Sequence, residues 1–195
     1  EVRVAVLYGF GINCDHETKA VFEMAGATAE RIHVNELVND LKDLADYQIM
    51  AVPGGFSFGD HLGSGRLLGN RLRFGIREMV QNFVKSGGLV IGICNGFQVL
   101  VKMGLLPGDD NVSLKQTASL TLNNTGHYED RWVTLEFDPD SPCVWTKGLT
   151  RIRVPVRHGE GKFVTTIDTN LDQWADNGQL VVRYVNPDEA YPSAG

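Results

Sequence analysis

The sequence predicts an α/β fold: an open, mostly parallel sheet with helices on both faces, carrying an antiparallel extension in its C-terminal half. Three observations predict it. Up to Cys94, short apolar runs alternate with stretches of helical periodicity, the pattern of repeated strand–helix–strand units. The runs are near-continuously apolar, as strands covered on both faces must be. After Pro107 the pattern becomes a two-residue alternation, which belongs to half-exposed antiparallel strands.

Each element follows in order. Val2–Leu7 is a short strand, and Gly9, Gly11 and Asn13 turn the chain after it. From Asp15, the apolar positions Ala20, Val21, Met24 and Ala25 recur at helical spacing until Gly26 ends the pattern. Ala29–Val34 is a second strand, and Asn35 can cap a helix running to about Leu44. Gln48–Pro53 is a third strand, opening into Gly54-Gly55-Phe56-Ser57-Phe58-Gly59-Asp60. One long helix is expected over Leu67–Lys85, with Leu72, Ile76, Val80 and Phe83 buried. Gly87-Gly88 then precedes Leu89–Ile93, the most apolar strand, and a helical pattern restarts over Asn95–Met103. Val112–Leu122 alternates as an antiparallel strand broken only by Gln116, and Arg131–Phe137, Ile152–Arg157 and Leu180–Val185 are further strands. No linker composition separates the halves, so the C-terminal half is expected to extend the parallel core within one domain.

Composition narrows the function classes. At 195 residues the chain is long enough to close a substantial core. Its 43% hydrophobic and 22% charged content argues against disorder or a coiled coil. The net charge of −6, with no Lys/Arg cluster to offset it, argues against a nucleic-acid surface. No apolar run approaches the ~20 residues that span a bilayer, so no membrane association is expected. Cys14, Cys94 and Cys143 are odd in number and far apart, which suits reduced thiols in a cytoplasm-like compartment better than a disulfide framework. No metal site is expected, because neither CxxC nor HExxH spacing occurs. The chain starts at Glu1 rather than Met and stops at the loop-like Tyr191-Pro192-Ser193-Ala194-Gly195, so either end could be incomplete.

Chemistry is expected at the carboxyl ends of the parallel strands. Cys94 sits there, and Gly92-Ile93-Cys94-Asn95-Gly96 has the small-x-nucleophile-x-small spacing of a nucleophile elbow. A nucleophile on such a turn has a strained backbone, and its neighbours two positions away must lack bulk to let strand and helix pass closely. Amide dipoles at the helix start stabilise a thiolate, and the Asn95 amide can donate to an oxyanion. Gly54-Gly55-Phe56, at the end of the third strand, is a second station for an oxyanion donor; the alternative is a plain glycine-rich turn. His158 and Glu160 have the spacing of a base with its orienting acid. His61 could face the site or serve as a loop or partner contact. Cys14 and His16 follow the first strand, on the same active edge of the sheet, with packing and helix capping by Asp15 or its neighbours as the plainer reading. His33 and His127 carry no usable signal, and Cys143 reads as a packed thiol.

Four segments carry a resemblance over nearly the whole chain. They are Gly11-Ile12-Asn13-Cys14-Asp15-His16-Glu17, Pro53-Gly54-Gly55-Phe56-Ser57-Phe58-Gly59-Asp60, Gly92-Ile93-Cys94-Asn95-Gly96-Phe97-Gln98 with Leu105-Leu106-Pro107-Gly108, and His158-Gly159-Glu160-Gly161. They resemble class I glutamine amidotransferases of flavodoxin-like fold, and within these the glutaminase subunit or domain of phosphoribosylformylglycinamidine synthase. The resemblance implies that Cys94 attacks the side-chain amide of glutamine, giving a γ-glutamyl thioester and ammonia. It implies that amides near Gly55 and Phe56, with that of Asn95, hold the oxyanion, and that Gln98 helps hold glutamine. It also implies a synthetase partner that uses ATP and Mg to make formylglycinamidine ribonucleotide for purine biosynthesis, with no cofactor in this chain. The family takes its triad histidine and glutamate from a His-Pro-Glu motif, and no His-Pro-Glu occurs here. The expectation is therefore a single amidotransferase domain over 1–195, truncated at its C-terminus and a poor glutaminase alone. His158 and Glu160 then become a loop near the active-site mouth or the synthetase contact. Two other readings compete: a cysteine hydrolase like the DJ-1/protease-like relatives, and a non-catalytic docking subunit.

Overall fold

The computed structural model describes residues 1–57, 65–109, 111–165 and 171–186. Among these, two compact units are distinguished. The first comprises the described residues up to Thr121 together with 163–165, and the second comprises 122–162 and 171–186.

The first unit is built on four parallel strands, β1 (Arg3–Tyr8), β2 (Thr28–His33), β3 (Ile49–Val52) and β4 (Leu89–Gly92), in the spatial order β2-β1-β3-β4. The helices are α1 (Asp15–Met24), α2 (Val34–Val38), α3 (Arg66–Gly75), α4 (Arg77–Lys85) and α5 (Asn95–Met103). The chain steps from β1 outward to β2 and then returns past β1 to β3 and β4. With right-handed crossovers, that reversal puts α1 on one face and α2–α4 on the other. Strand alternation agrees. Ala5, Leu7, Met50 and Val52 pack in one cluster with Leu68, Leu72, Val99 and Leu100, whereas Val4, Val6 and Ala51, equally buried, fall outside it. The expected α/β architecture is present.

Four local expectations are corrected. The α1 helix forms where expected, but Val21 and Met24 are exposed, and its buried positions are Asp15 and Thr18. An ion pair turns the helix this way: Arg31 Nε on β2 lies 2.5 Å from the buried Asp15 carboxylate. Asn35 is not the cap of α2. His33 is: its Nδ1 accepts the Asn35 N–H at 3.1 Å, while the Glu36 carboxylate accepts the His33 N–H at 2.7 Å, a capping box that ends after five residues. The long helix is two, broken at Ile76 (φ −132°, ψ 31°), although Leu72, Ile76, Val80 and Phe83 are all buried as expected. The strand over Val112–Leu122 is shorter, β5 (Ala118–Thr121), because Val112 and Leu114 take positive φ and leave the extended region. β5 pairs with β8 (Lys162–Thr165), a strand whose pattern the sequence did not reveal.

The second unit is an antiparallel sheet in the order β7-β6-β9: β6 (Glu129–Phe137) between β7 (Arg151–His158) and β9 (Val182–Val185). A short helix, α6 (Leu171–Asp176), precedes β9. Register places Glu136 opposite Arg151 on one side and Arg183 on the other, and its buried carboxylate pairs with both. Those arginines hold Glu136 below the ordinary carboxylate value, the Arg183 hydrogen bond first and the Arg151 bond second. The antiparallel half expected from sequence is therefore present. No helix among the described residues is long and apolar enough to cross a membrane.

Candidate active site

Cys94 stands between β4 and α5 with φ 53° and ψ −112°, a conformation that side-chain-bearing residues rarely adopt. The turn is closed by Gly96 N–H donating to Ile93 O at 2.8 Å, while Ile93 N–H continues the sheet to Val52 O at 3.0 Å. Both flanking glycines are sterically required. A Cβ on Gly96 would stand 1.8 Å from Val52 O, and one on Gly92 would stand 2.7 Å from both Gly96 O and the Leu100 side chain. The thiol is exposed, at the carboxyl edge of the parallel sheet. The strand–turn–helix geometry is that of the elbow the spacing predicts.

The Gly54–Ser57 segment leaves β3 beside it. A Cβ on Gly54 would lie 3.4 Å from the Cys94 Cβ, so this glycine lets the loop pass directly against Cys94. The loop is anchored to the turn after β1: Asn13 and Cys14 N–H both donate to Gly54 O at 3.1 Å, and Phe56 N–H donates to Gly11 O at 2.9 Å. Those bonds make Ile12 and Gly55 a non-hydrogen-bonded bridge pair, in which the Gly55 N–H points away from Ile12. Gly55 needs its φ of +145° for this, and a Cβ there would meet Gly11 O at 2.5 Å. The two expected loop donors thus differ. The Phe56 amide is engaged within the protein and would have to give up Gly11 O to reach a ligand, whereas the Gly55 amide is aimed elsewhere.

Asn95 and Gln98 join this cluster. Asn95 is 2% exposed; its Oδ1 accepts the Ser57 N–H at 3.1 Å and its Nδ2 donates to Gln98 Oε1 at 2.9 Å. Cys14, which the sequence puts on the active edge with packing or capping as the plainer reading, proves to be a second exposed thiol here. Its Sγ would lie 3.7 Å from the same Cβ position on Gly54. Its pKa is raised, first by burial and then by the nearby Glu17, Cys94 and Asp15. Asp15 does not cap α1; its carboxylate serves Arg31. His16 is exposed on the first turn of α1. His33 is structural, set between the Tyr8 and Phe10 rings at centroid distances of 5.1 and 5.4 Å. Phe58, Gly59, Asp60 and His61 lie outside the described residues.

His158 and Glu160 belong to the second unit. The group orienting the His158 ring is one that the sequence reading missed. Asn123 Oδ1 lies 2.9 Å from His158 Nδ1 and accepts the Gly161 N–H at 3.0 Å, while Asn123 Nδ2 donates to the carbonyls of His158 and His127. With Nδ2 committed to carbonyls, Oδ1 faces the ring and Nδ1 carries the hydrogen. A Cβ on Gly161 would fall 2.0 Å from the imidazole, so the ring would have to shift to admit one. The spacing Asn123…His158 has no local signature, so only the fold could disclose it. This loop borders a cleft of about 290 Å³ lined by Glu129, Arg131, Lys162 and Tyr184 among others. Cys143 is half-buried at the start of a single helical turn, and His127 enters these contacts through its backbone.

Comparison with known proteins adds family membership. A sequence family described as the CobB/CobQ-like glutamine amidotransferase domain matches residues 1–194. The chain is 50% identical over 164 residues to the phosphoribosylformylglycinamidine synthase subunit PurQ of Dehalococcoides mccartyi, covering 84% of this chain and 64% of that protein. It is 41% identical to the subunit of the same name from Treponema denticola, covering 95% of this chain and 72% of that one. The chain thus spans about two thirds of the length of these relatives. Among solved structures, PurLQS from Thermotoga maritima matches with a TM-score of 0.71 at 30% identity, over 95% of this chain and 76% of the matched chain. An elbow cysteine faced by a glycine-rich loop, a whole-length family match and these relatives agree: the chain belongs to the CobB/CobQ-like glutamine amidotransferase family, alongside the subunits named PurQ.

Proposed function

We propose that this chain is the glutamine-hydrolysing component of a phosphoribosylformylglycinamidine synthase. The observation that carries the proposal is Cys94 in a strained elbow, with the Gly54–Ser57 loop closed against it. The Cys94 thiolate attacks the side-chain amide carbon of glutamine. The carbonyl oxygen becomes an oxyanion, held by the amides of Gly55 and Asn95, with Phe56 joining if it releases Gly11 O. Collapse expels ammonia, the leaving nitrogen taking up a proton, and leaves a γ-glutamyl thioester on Cys94. Water then attacks the thioester carbonyl, releasing glutamate and regenerating the thiol. The proton-transfer histidine and its carboxylate are assigned to the family's His-Pro-Glu motif, which these 195 residues do not contain. His158 is assigned a loop role, with its ring held by Asn123.

The ammonia serves a synthetase, separate or fused, which carries the ATP and Mg chemistry; the chain itself is assigned no cofactor. The PurLQS likeness supports such an assembly. Both units are read as parts of one amidotransferase domain, which the family match over 1–194 favours. The cytoplasm is the proposed compartment, in keeping with three free cysteines.

The test is intact-mass spectrometry with an electrophilic glutamine analogue. One adduct mapping to Cys94, and blocked by excess glutamine, is the expected result. An adduct that glutamine does not block, or that maps elsewhere, overturns the assignment.

A further inference from the structure

Two oxyanion donors on different segments can meet one oxygen only if the segments are held in register. The Asn95 amide belongs to α5, whereas the Gly55 amide belongs to the loop after β3. Bonds from Asn13, Cys14 and Phe56 tie that loop to the turn after β1, on its far side from the nucleophile helix. The Asn95 side chain spans the other way. It is buried, its Oδ1 takes the N–H of Ser57, two residues beyond Gly55, and its Nδ2 reaches Gln98 one turn along α5. The amide orientation follows from chemistry. A backbone N–H can only donate, so Oδ1 must face Ser57, which turns Nδ2 to Gln98 and makes Oε1 the acceptor there. The Gln98 side chain is thereby fixed with its Oε1 turned to Asn95.

We propose that the Asn95 side chain is a positioning residue of the glutaminase site: it holds the oxyanion loop in register with α5 and sets the orientation of the Gln98 amide. This inference rests on the glutaminase reading above and assigns the side chain a task distinct from that of its backbone N–H. It has two separable halves. Asn95→Asp keeps an acceptor for Ser57 N–H but removes the donor to Gln98 Oε1. Asn95→Ala removes both halves.

The experiment uses the full-length protein assayed with its synthetase, comparing wild type, Asn95→Asp, Asn95→Ala and Gln98→Ala. Steady-state glutaminase kinetics are paired with the rates at which Cys94 reacts with an electrophilic glutamine analogue and with iodoacetamide. Iodoacetamide needs the thiolate but neither the oxyanion hole nor the glutamine pocket. Asn95→Ala is expected to lower kcat by about ten- to hundredfold and slow the analogue similarly, at an unchanged iodoacetamide rate. Asn95→Asp, which keeps the tie to Ser57, is expected to lose less kcat than Asn95→Ala while raising KM about tenfold, and Gln98→Ala to raise KM by a similar factor. Wild-type kcat and KM in Asn95→Ala would overturn the proposal. So would equal losses with both reagents that Asn95→Asp fails to rescue, which would mean a folding role. A wild-type protein that shows no glutamine-protected analogue adduct would instead sink the glutaminase reading itself.

Discussion

Cys94 holds a backbone conformation that costs of order 1–3 kcal/mol, and its surroundings, not its own preference, keep it there. Gly96 is the clearest support, because helix α5 leaves the turn with its first residues pressed on the carbonyl of Val52. Gly96→Ala is expected to destabilise the protein by about 3 kcal/mol or more, since backbone rather than a movable side chain opposes the new methyl. Chemical denaturation of the purified variant measures this, and an unchanged midpoint would contradict the close approach. Cys94→Ser is expected to fold as the wild type does and to lose the glutamine-analogue adduct. Intact mass and a melting curve on the same sample check both parts. The glycine spacing around Cys94 was legible because it is local: residues at −2 and +2 face a constraint set by the turn itself. Asn123 was not, because 35 positions separate it from the His158 ring it orients.

At the scale of elements, periodicity located helices well and their rotation poorly. The α1 helix has an apolar stripe at Val21 and Met24, yet burial of Asp15 and its pairing with Arg31 decide which side meets the sheet. For α2 the decisive feature was a histidine acting as an N-cap, a role outside the usual Ser, Thr, Asp and Asn preference. His33→Ala is expected to cost about 1 kcal/mol through the lost Asn35 bond, somewhat more with the ring contacts to Tyr8 and Phe10. Thermal melting checks this, and a neutral result would mean the capping box carries no net stability. In the second unit, Asn123→Ala removes the acceptor of the Gly161 N–H and the donor to His158 O. Hydrogen exchange at the Gly161 amide should accelerate at least about tenfold while amides in the middle of β6 keep their protection. Equal acceleration in both places would show a global rather than a local effect.

Over the whole molecule, Glu136 is expected to be one of several carboxylates held low that lose their stabilisation in acid, with Glu30, Asp109 and Glu129. Glu136 sits between two arginines from the two neighbouring strands, and its folded pKa lies below the ordinary 4.5. The unfolded chain therefore takes up that proton first as pH falls. The stabilisation is present above about pH 4.5 and is lost as pH drops through the lower folded value. Glu136→Gln is expected to flatten this acid dependence and to lower stability at neutral pH, because Arg151, itself 11% exposed, loses its counter-charge. Denaturation midpoints of wild type and variant between acidic and neutral pH measure both effects. A variant with the wild-type acid profile would place the titrating group elsewhere.

By itself, the sequence determined the strand–helix alternation, the change to antiparallel texture after Pro107, the elbow at Cys94 and the glycine-rich loop after β3. Each of these rests on periodicity or steric need within a few neighbouring residues, which a linear reading can count. Only the tertiary structure decided that Asn95 bridges Ser57 and Gln98, that the Phe56 amide is spent on Gly11 while the Gly55 amide turns outward, and that the Cys14 thiol comes against Gly54 as Cys94 does. These are meetings of segments brought together at the carboxyl ends of adjacent parallel strands. Crossover topology sets such proximity, and no local pattern in the chain records it.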